Sequence, residues 1–463
     1  MIAPDLACDA VPQPIGPLLD GHGGRDRLPQ RGGTAEVRLS ESQGQALREA
    51  GGGITVLIAP SGFKERLGPR QVAAAIAEGV RAAIPSARVL QVPIIDGGEG
   101  FAEEMANLSE GTVERVYIVG PHGESLTQRL GLIGSPADRT AVIGLTEAVN
   151  LRQLPPDRRD PTSASSRGVG LLIAAALDRG VRRIVIGCGD SGANDGGIGM
   201  ASALGVRFLD AHRSEIVEAG GLLRLESIDM SHRDPRLDYV SIEVVVDPCN
   251  DLLGERGVVR VHGPGTGVSK AQVLRLENGL ARYADVIERA LGVDVAQLRG
   301  GGASGGLGAG LVVFAGATLI PRLEFLQHCQ GLEASLAAAD LVITDDDCVD
   351  PLRAIGDASV WIARRAKALG LPVISLAGQF ESDDQAPAVE TDVSTSTAPA
   401  PNRDEALVRT GAWLRDASAS AMRIVLRGLA LGAGIRRAPS RQVLVPGSNT
   451  PPAPVVRWRP INP

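Results

Sequence analysis

Lysine is nearly missing from this sequence. Of its 47 basic residues, only Lys64, Lys270 and Lys367 are lysines. Genome composition is the ordinary cause, but it leaves Lys64 as an unusual choice at its site. Aromatic residues are scarce as well, at 3% of the chain, which argues against the stacking platforms that hold single-stranded nucleic acids. Positive charge is not in excess. The formal net charge is −7, whereas a nucleic-acid partner calls for a basic face. The five cysteines show no C-x-x-C spacing, and the six histidines form neither H-x-x-x-H nor H-E-x-x-H. A disulfide framework and a dedicated zinc site are therefore not expected. No apolar run reaches the ~18 residues of a membrane span. The first residues, MIAPDLACDAVPQP, lack a basic stretch ahead of an apolar one. They do not read as a signal peptide, and the cytoplasm is the expected compartment.

Glycine is abundant: 58 glycines and 30 prolines stand among 463 residues. At about 150 residues per domain this length suggests two or three domains. Residues 1–52 are rich in Gly, Pro, Arg and Gln without a period, and are expected to be a disordered extension. The folded body begins at Ile54-Thr-Val-Leu-Ile-Ala, an apolar β-branched run typical of a buried parallel strand. A loop, an amphipathic helix over Pro69–Ala83 and a strand over Arg88–Ile95 follow, which is a β-α-β unit. Thr112–Val119 and Ser125–Ile133 alternate around Gly120-Pro-His-Gly and read as a hairpin, so an antiparallel element enters here.

Further on, Arg167–Arg179 reads as a helix closed by Gly180. Val181–Gly187 and Ile242–Val246 read as strands, and Lys270–Leu291 as a long helix. Glu333–Ala339, Leu341–Thr344, Ala358–Leu369 and Pro372–Ala377 read as a second helix-strand-helix-strand unit. A Ser/Pro/acid-rich linker follows Gly378, and then a helix over Asp404–Arg427. No repeat of fixed period occurs.

Four segments concentrate glycine near strand ends: Asp96-Gly-Gly-Glu-Gly, the run from Gly187 to Gly197, Gly263-Pro-Gly-Thr-Gly, and the run from Gly300 to Gly310. Glycine lets backbone amides turn toward an anion, and a helix start adds partial positive charge. Ordinary tight turns explain any one such loop; four together favour ligand loops. None of the lysines follows G-x-x-x-x-G, so a Walker A loop is excluded. Gly187-Cys-Gly-Asp-Ser-Gly fits the dinucleotide pattern, with Asp210 about 20 residues on, but Asp190 inside the loop would repel a pyrophosphate. Asp96, Glu99, Asp195, Asp247 and Asp350 follow expected strands, where acids hold Mg²⁺ or accept a hydroxyl proton. Taken singly, each is as readily a helix cap.

The runs IAPSGFKERL, DGGEG, GCGDSGANDGG and GGGASGGLGAG, in that order and spacing, resemble the bacterial type I glycerate kinases. The similarity spans Ile54 to Ala377 and extends to the last helix. It implies an α/β fold of two domains, a Rossmann-like parallel-sheet domain and a second mixed α/β domain, with the active site in the cleft between them. The corresponding division is 53–95 with 290–432 for the first, 96–289 for the inserted second, and a disordered tail at 433–463.

The resemblance also implies ATP-dependent, Mg²⁺-assisted phosphorylation of D-glycerate or a similar small hydroxy acid, with no nucleic-acid or membrane partner. It points to Lys64, Asp96, Asp195 and Asp350 as catalytic residues and to Glu99, Ser191 and Asn194 as substrate contacts. Gly301, Gly302, Ser304, Gly305 and Gly306 would cradle phosphates, and Asp96 with Asp195 would hold the metal.

Departures are concentrated elsewhere. The family's A-P-D-S-F-K loop keeps Pro60 and Lys64 but has Ser61 and Gly62 at the Asp and Ser positions. Its GPQKGA loop here lacks the Gln and Lys. Its GEGRLDxQSxxGK motif aligns with the run from Asp345 to Asp357, where Asp350 and Gly356 match, Asp346 stands for Glu and Asp357 for Lys. These replacements admit two further readings: an impaired or repurposed homologue that binds a ligand or partner, or a kinase for another small hydroxy acid.

Overall fold

A computed structural model of the chain describes residues 53–62, 67–95, 97–98, 100–149, 160–189, 191–263, 269–328, 331–349, 358–380, 393–396 and 403–430. The expected N-terminal extension and C-terminal tail lie outside these residues, as does the linker expected after Gly378, except that 379–380 end a strand and 393–396 form another of the parallel sheet.

Two sheets carry the fold. The first has five parallel strands: β1 (Thr55–Ile58), β2 (Arg88–Gln91), β11 (Leu341–Val349), β12 (Val373–Phe380) and β13 (Val393–Ser396), in the order β13-β12-β11-β1-β2. Side chains alternate across it, as the two-residue period of a strand requires. Val56, Ile58, Leu341 and Ile343 pack under the helices Pro69–Ala83 and Arg403–Ala430. Leu57, Ala59 and Val342 face the opposite way, toward Leu332–Ala338 and Ala358–Ala368. With both faces covered, β1 is buried at every position, which is why it reads as an unbroken apolar run. β2 ends at Gln91 rather than at the expected Ile95, although the Val92 and Ile94 amides still donate to the Ile58 and Pro60 carbonyls of the segment leaving β1.

The second sheet is mixed. Its strands are β3 (Thr112–Val119), β4 (Ser125–Ile133), β5 (Thr140–Gly144), β6 (Arg183–Gly187), β9 (Ser241–Val246) and β10 (Thr318–Pro321), in the order β10-β9-β6-β5-β4-β3. β3 and β4 form the expected hairpin, and β4 is antiparallel to β5. The helices Arg167–Asp178, Lys270–Leu291 and Ala303–Ala315 cover one face through Ile184, Ile186 and Val244. Phe101–Leu108 covers the other face, on Val142 and Val185. A short ribbon of β7 (Arg207–Leu209) and β8 (Ser227–Asp229) lies apart from both sheets.

The chain thus leaves the parallel sheet after β2 and returns to it at β11. Residues 303–321, expected with the parallel sheet, pack and pair with the mixed one: β10 joins β9, and Phe314 lies in its core. The helix Arg322–His328 bridges the two, with Phe325 in one core and Leu326 in the other.

Candidate active site

β5, β6, β9 and β10 run parallel, so their carboxyl ends share one edge of the mixed sheet. That edge is where open α/β sheets bind ligands, and the run from Gly187 to Gly197 leaves from it at the end of β6. A Cβ on Gly187 would lie 2.7 Å from the Gly97 Cα, and one on Gly189 3.2 Å from the Gly98 Cα. The backbones of two loops touch there, an approach open only to glycine. On the other side the same loop meets the run from Gly300 to Gly310. Ser304 Oγ donates to the Gly189 carbonyl at 3.0 Å, and the Gly196 amide donates to the Gly305 carbonyl at 3.1 Å. The loop after β9 joins them through the Gly302 amide, which donates to the Asn250 carbonyl at 2.9 Å. The segment before Gly97 also reaches the parallel sheet, since the Ile94 amide donates to the Pro60 carbonyl at 2.8 Å. The segment that begins at Gly263 lies outside the described residues beyond that glycine.

Asp195 lies in the middle of this junction and points inward. It is 1% exposed. Oδ1 accepts the Gly197 amide at 3.0 Å. Oδ2 accepts the Ser166 amide at 2.8 Å, the Ser166 hydroxyl at 2.9 Å and the Gly199 amide at 3.1 Å. Burial pushes its pKa up, and these hydrogen bonds oppose the shift. Three of the four donors thus engage Oδ2 and one engages Oδ1. Asp195 ties the start of helix Ile198–Ala203 to Ser166, whose hydroxyl in turn accepts the Met200 amide at 2.9 Å.

The neighbouring polar residues behave differently. Ser191 and Asn194 are half-buried and bond only within their own turn: the Ala193 amide donates to Ser191 Oγ at 3.2 Å, and Asn194 Nδ2 reaches the Gly192 carbonyl at 3.4 Å. Gly301, Gly302, Gly305 and Gly306 are buried, and each has protein atoms where a side chain would begin. Ser304 alone of that group is partly exposed. Lys64, Asp96, Glu99 and Asp350 lie outside the described residues. Among the described residues no group of three or more His, Cys, Asp or Glu could hold a metal ion, so no metal-dependent step is derived from them.

Several contributors were not flagged by sequence. Tyr283 is fully buried and donates to the Gly196 carbonyl at 2.6 Å. Its only signal is a place on the apolar stripe Leu276, Leu280, Tyr283, Ile287 of Lys270–Leu291. Ser166 stands just before Arg167–Asp178 and reads as its cap, yet its hydroxyl serves Asp195 instead. Thr146 follows β5; among the described residues its buried Oγ1 has no hydrogen-bond partner, and it lies 2.2 Å from where a Gly189 Cβ would sit. Cys188 follows β6 beside Ser304, and burial pushes its thiol up to about 12 against the Ser304 hydrogen bond and the Arg322 charge.

These observations define an α/β protein with glycine loops gathered at the carboxyl ends of parallel strands. Residues 56–426 match the glycerate kinase family, and the chain belongs to that family, one of ATP-dependent kinases acting on a small molecule. It is 40% identical over 329 residues to the glycerate 2-kinase of Escherichia coli K12, covering 71% of this chain and 86% of that one. With the glycerate kinase of Halalkalibacterium halodurans it shares 39% identity over 327 residues, 70% of this chain and 86% of the relative. A crystal structure of a protein provisionally named glycerate kinase 2, from Salmonella typhimurium LT2, superposes with a TM-score of 0.66. It is 39% identical and is matched over 82% of this chain and 99% of its own. None of the described helices is long and apolar enough to cross a membrane.

Proposed function

We propose that the protein transfers the γ-phosphoryl group of ATP to the 2-hydroxyl of D-glycerate, giving 2-phosphoglycerate and ADP. The hydroxyl oxygen forms the new P–O bond, the bond to the bridging β–γ oxygen breaks, and the hydroxyl proton passes to a base. The observation that carries this reading is the convergence of three family-matching loops at one sheet edge. The name of the E. coli relative supports the choice of hydroxyl. Such catalysis is positioning and charge neutralisation.

In this reading Lys64 contacts an anion, Asp96 and Glu99 stand near the acceptor hydroxyl, and Asp350 takes its proton. Mg²⁺, when bound, offsets phosphate charge, with Asp96 its expected ligand. Ser191, Asn194 and Ser304 are the polar groups left for substrate and phosphates, on a loop that the buried glycines hold in place. Asp195 is reassigned as a positioning residue. Two domains with the site between them suit the Ile94–Pro60 link beside Gly97, with the second ending near Pro321. The proposal includes a cytoplasmic enzyme without a nucleic-acid partner, the latter supported by the net charge of −7.

A different hydroxy acid is the second reading. The buried Thr146 hydroxyl beside Gly98 and Gly189 favours it, because an extra polar group on an acceptor would find a partner there. Incubation with ATP, Mg²⁺ and a panel of hydroxy acids, followed by phosphorus NMR, separates the cases. The 2-phosphate from D-glycerate is expected. A product from another acid alone would select the second reading, and no product from any would leave the impaired homologue.

A further inference from the structure

The middle of β11 holds an acid that the reaction as proposed does not use. Asp345 is fully buried, at 0% exposure. Its Oδ1 accepts the Ser61 amide at 2.6 Å and the Ser61 hydroxyl at 3.3 Å, and its Oδ2 accepts the Gly62 amide at 2.8 Å. Ser61 Oγ lies 3.0 Å from Ser359 Oγ, at the start of Ala358–Ala368. One residue earlier, Thr344 Oγ1 donates to the Ala59 carbonyl at 3.0 Å. The turn that leaves β1 is thus bound to β11 at Ala59, Ser61 and Gly62. It is also conformationally tight: Gly62 has φ +96, and a Cβ there would meet Pro69 Cδ at 3.0 Å. Lys64 follows two residues later in the sequence.

The positions of the acids make this more than a packing detail. The family pattern places an acid where this chain has Ser61, and a glycine where this chain has Asp345. The acid missing from the turn stands on the neighbouring strand instead, and it bonds the amides of that same turn. A buried carboxylate that accepts two amides fixes backbone geometry more firmly than a neutral group, because charge-assisted bonds are about twice as strong.

We propose that Asp345 is a positioning residue: from β11 its carboxylate sets the Ser61–Gly62 turn that leads into Lys64, in place of an acid on the turn itself. This rests on the kinase reading for its effect on turnover, but not for its effect on the turn.

The test compares wild type with Asp345→Asn, Asp345→Gly and the exchange variant Ser61→Asp/Asp345→Gly. Steady-state kinetics with ATP and D-glycerate is one readout; amide hydrogen exchange of the peptide holding Ser61 and Gly62 is the other. Asp345→Gly is expected to lower kcat/KM by roughly ten- to a hundredfold, the cost of a misplaced contact group, with KM for ATP raised. Asp345→Asn should fall between it and wild type, and the exchange variant should recover most of the loss. Both single variants should speed exchange in that peptide while leaving the six-stranded sheet protected. Unchanged exchange at Ser61 and Gly62 overturns the inference, as does an exchange variant no better than Asp345→Gly. A wild type that transfers phosphate to no hydroxy acid would overturn the kinase reading alone, with the exchange data still deciding whether Asp345 sets the turn.

Discussion

Asp195 and Asp345 illustrate how far a single residue can be read from sequence. Asp195 stands out as an acid in the loop after an expected strand, whereas Asp345 enters only as the first residue of the run aligned with the GEGRLDxQSxxGK motif. Burial decides what they do, and burial is a property of the assembled fold. Asp195 is engaged by Ser166, 29 positions earlier, and Asp345 by Ser61, 284 positions earlier. No local pattern shows such partners. Cys188 follows the same logic. Its place beside the glycine loops suggests reactivity, yet its thiol is pushed up to about 12 by burial. At pH 8 it therefore stays protonated and unreactive. Alkylation of the native protein with iodoacetamide at pH 8, mapped by mass spectrometry, should leave Cys188 unmodified until urea is added. Native labelling as fast as in urea would contradict this.

At the scale of elements, the regular pieces were legible and the loops only half so. Lys270–Leu291 keeps its expected bounds, and Ser269 with Gln272 forms the reciprocal cap that its S-x-x-Q start encodes. The hairpin β3–β4 also keeps its bounds, because alternation and a glycine turn are local signals. Glycine richness marked the loop at 300–310, but not its use. Ser304, Gly305 and Gly306 take left-handed φ values of 50, 73 and 89 in succession. This bend presses the loop onto Ala193 and Gly196.

Two glycines separate conformation from contact. Gly180 closes Arg167–Asp178 at φ +66 with nothing within 4 Å of an added Cβ, whereas a Cβ on Gly305 would lie 1.8 Å from the Ala193 carbonyl oxygen. In urea unfolding, Gly180→Ala should cost about 1 kcal/mol, the price of left-handed backbone alone. Gly305→Ala should cost about 1–3 kcal/mol more, since backbone must shift to admit the methyl. Equal losses would mean that the loop contact is slack.

At the scale of the whole molecule, an α/β fold with one parallel and one mixed sheet was legible, because β-α-β spacing and a hairpin occur in separate stretches. The point where the chain returns to the first sheet was not. Ala303–Ala315 is buried on nearly all sides, so no periodicity shows which sheet it covers; only the pairing of β10 with β9 does. The last helix closes the parallel sheet from the far end of the sequence. It crosses Pro69–Ala83 so closely that a Cβ on Gly79 would meet the Arg415 carbonyl oxygen and Ser418 Oγ, each at 2.1 Å. Ser418 Oγ also reaches the Ile76 carbonyl at 3.2 Å. Gly79→Val should therefore destabilise by about 1–3 kcal/mol or more, as overpacking does, and lower the melting temperature. A wild-type melting curve would show that Arg403–Ala430 is not seated on that helix.

The central claim joins these scales: loops from separate stretches of sequence form one phosphoryl-transfer site for D-glycerate. The most direct measurement is ADP release with ATP and Mg²⁺, with and without saturating D-glycerate, for wild type and Lys64→Ala. The account predicts glycerate-dependent turnover of about 1 s⁻¹ or more in wild type, in the ordinary range of enzymes, and its loss in the variant. ADP release that D-glycerate does not accelerate, or that Lys64→Ala leaves intact, would contradict it.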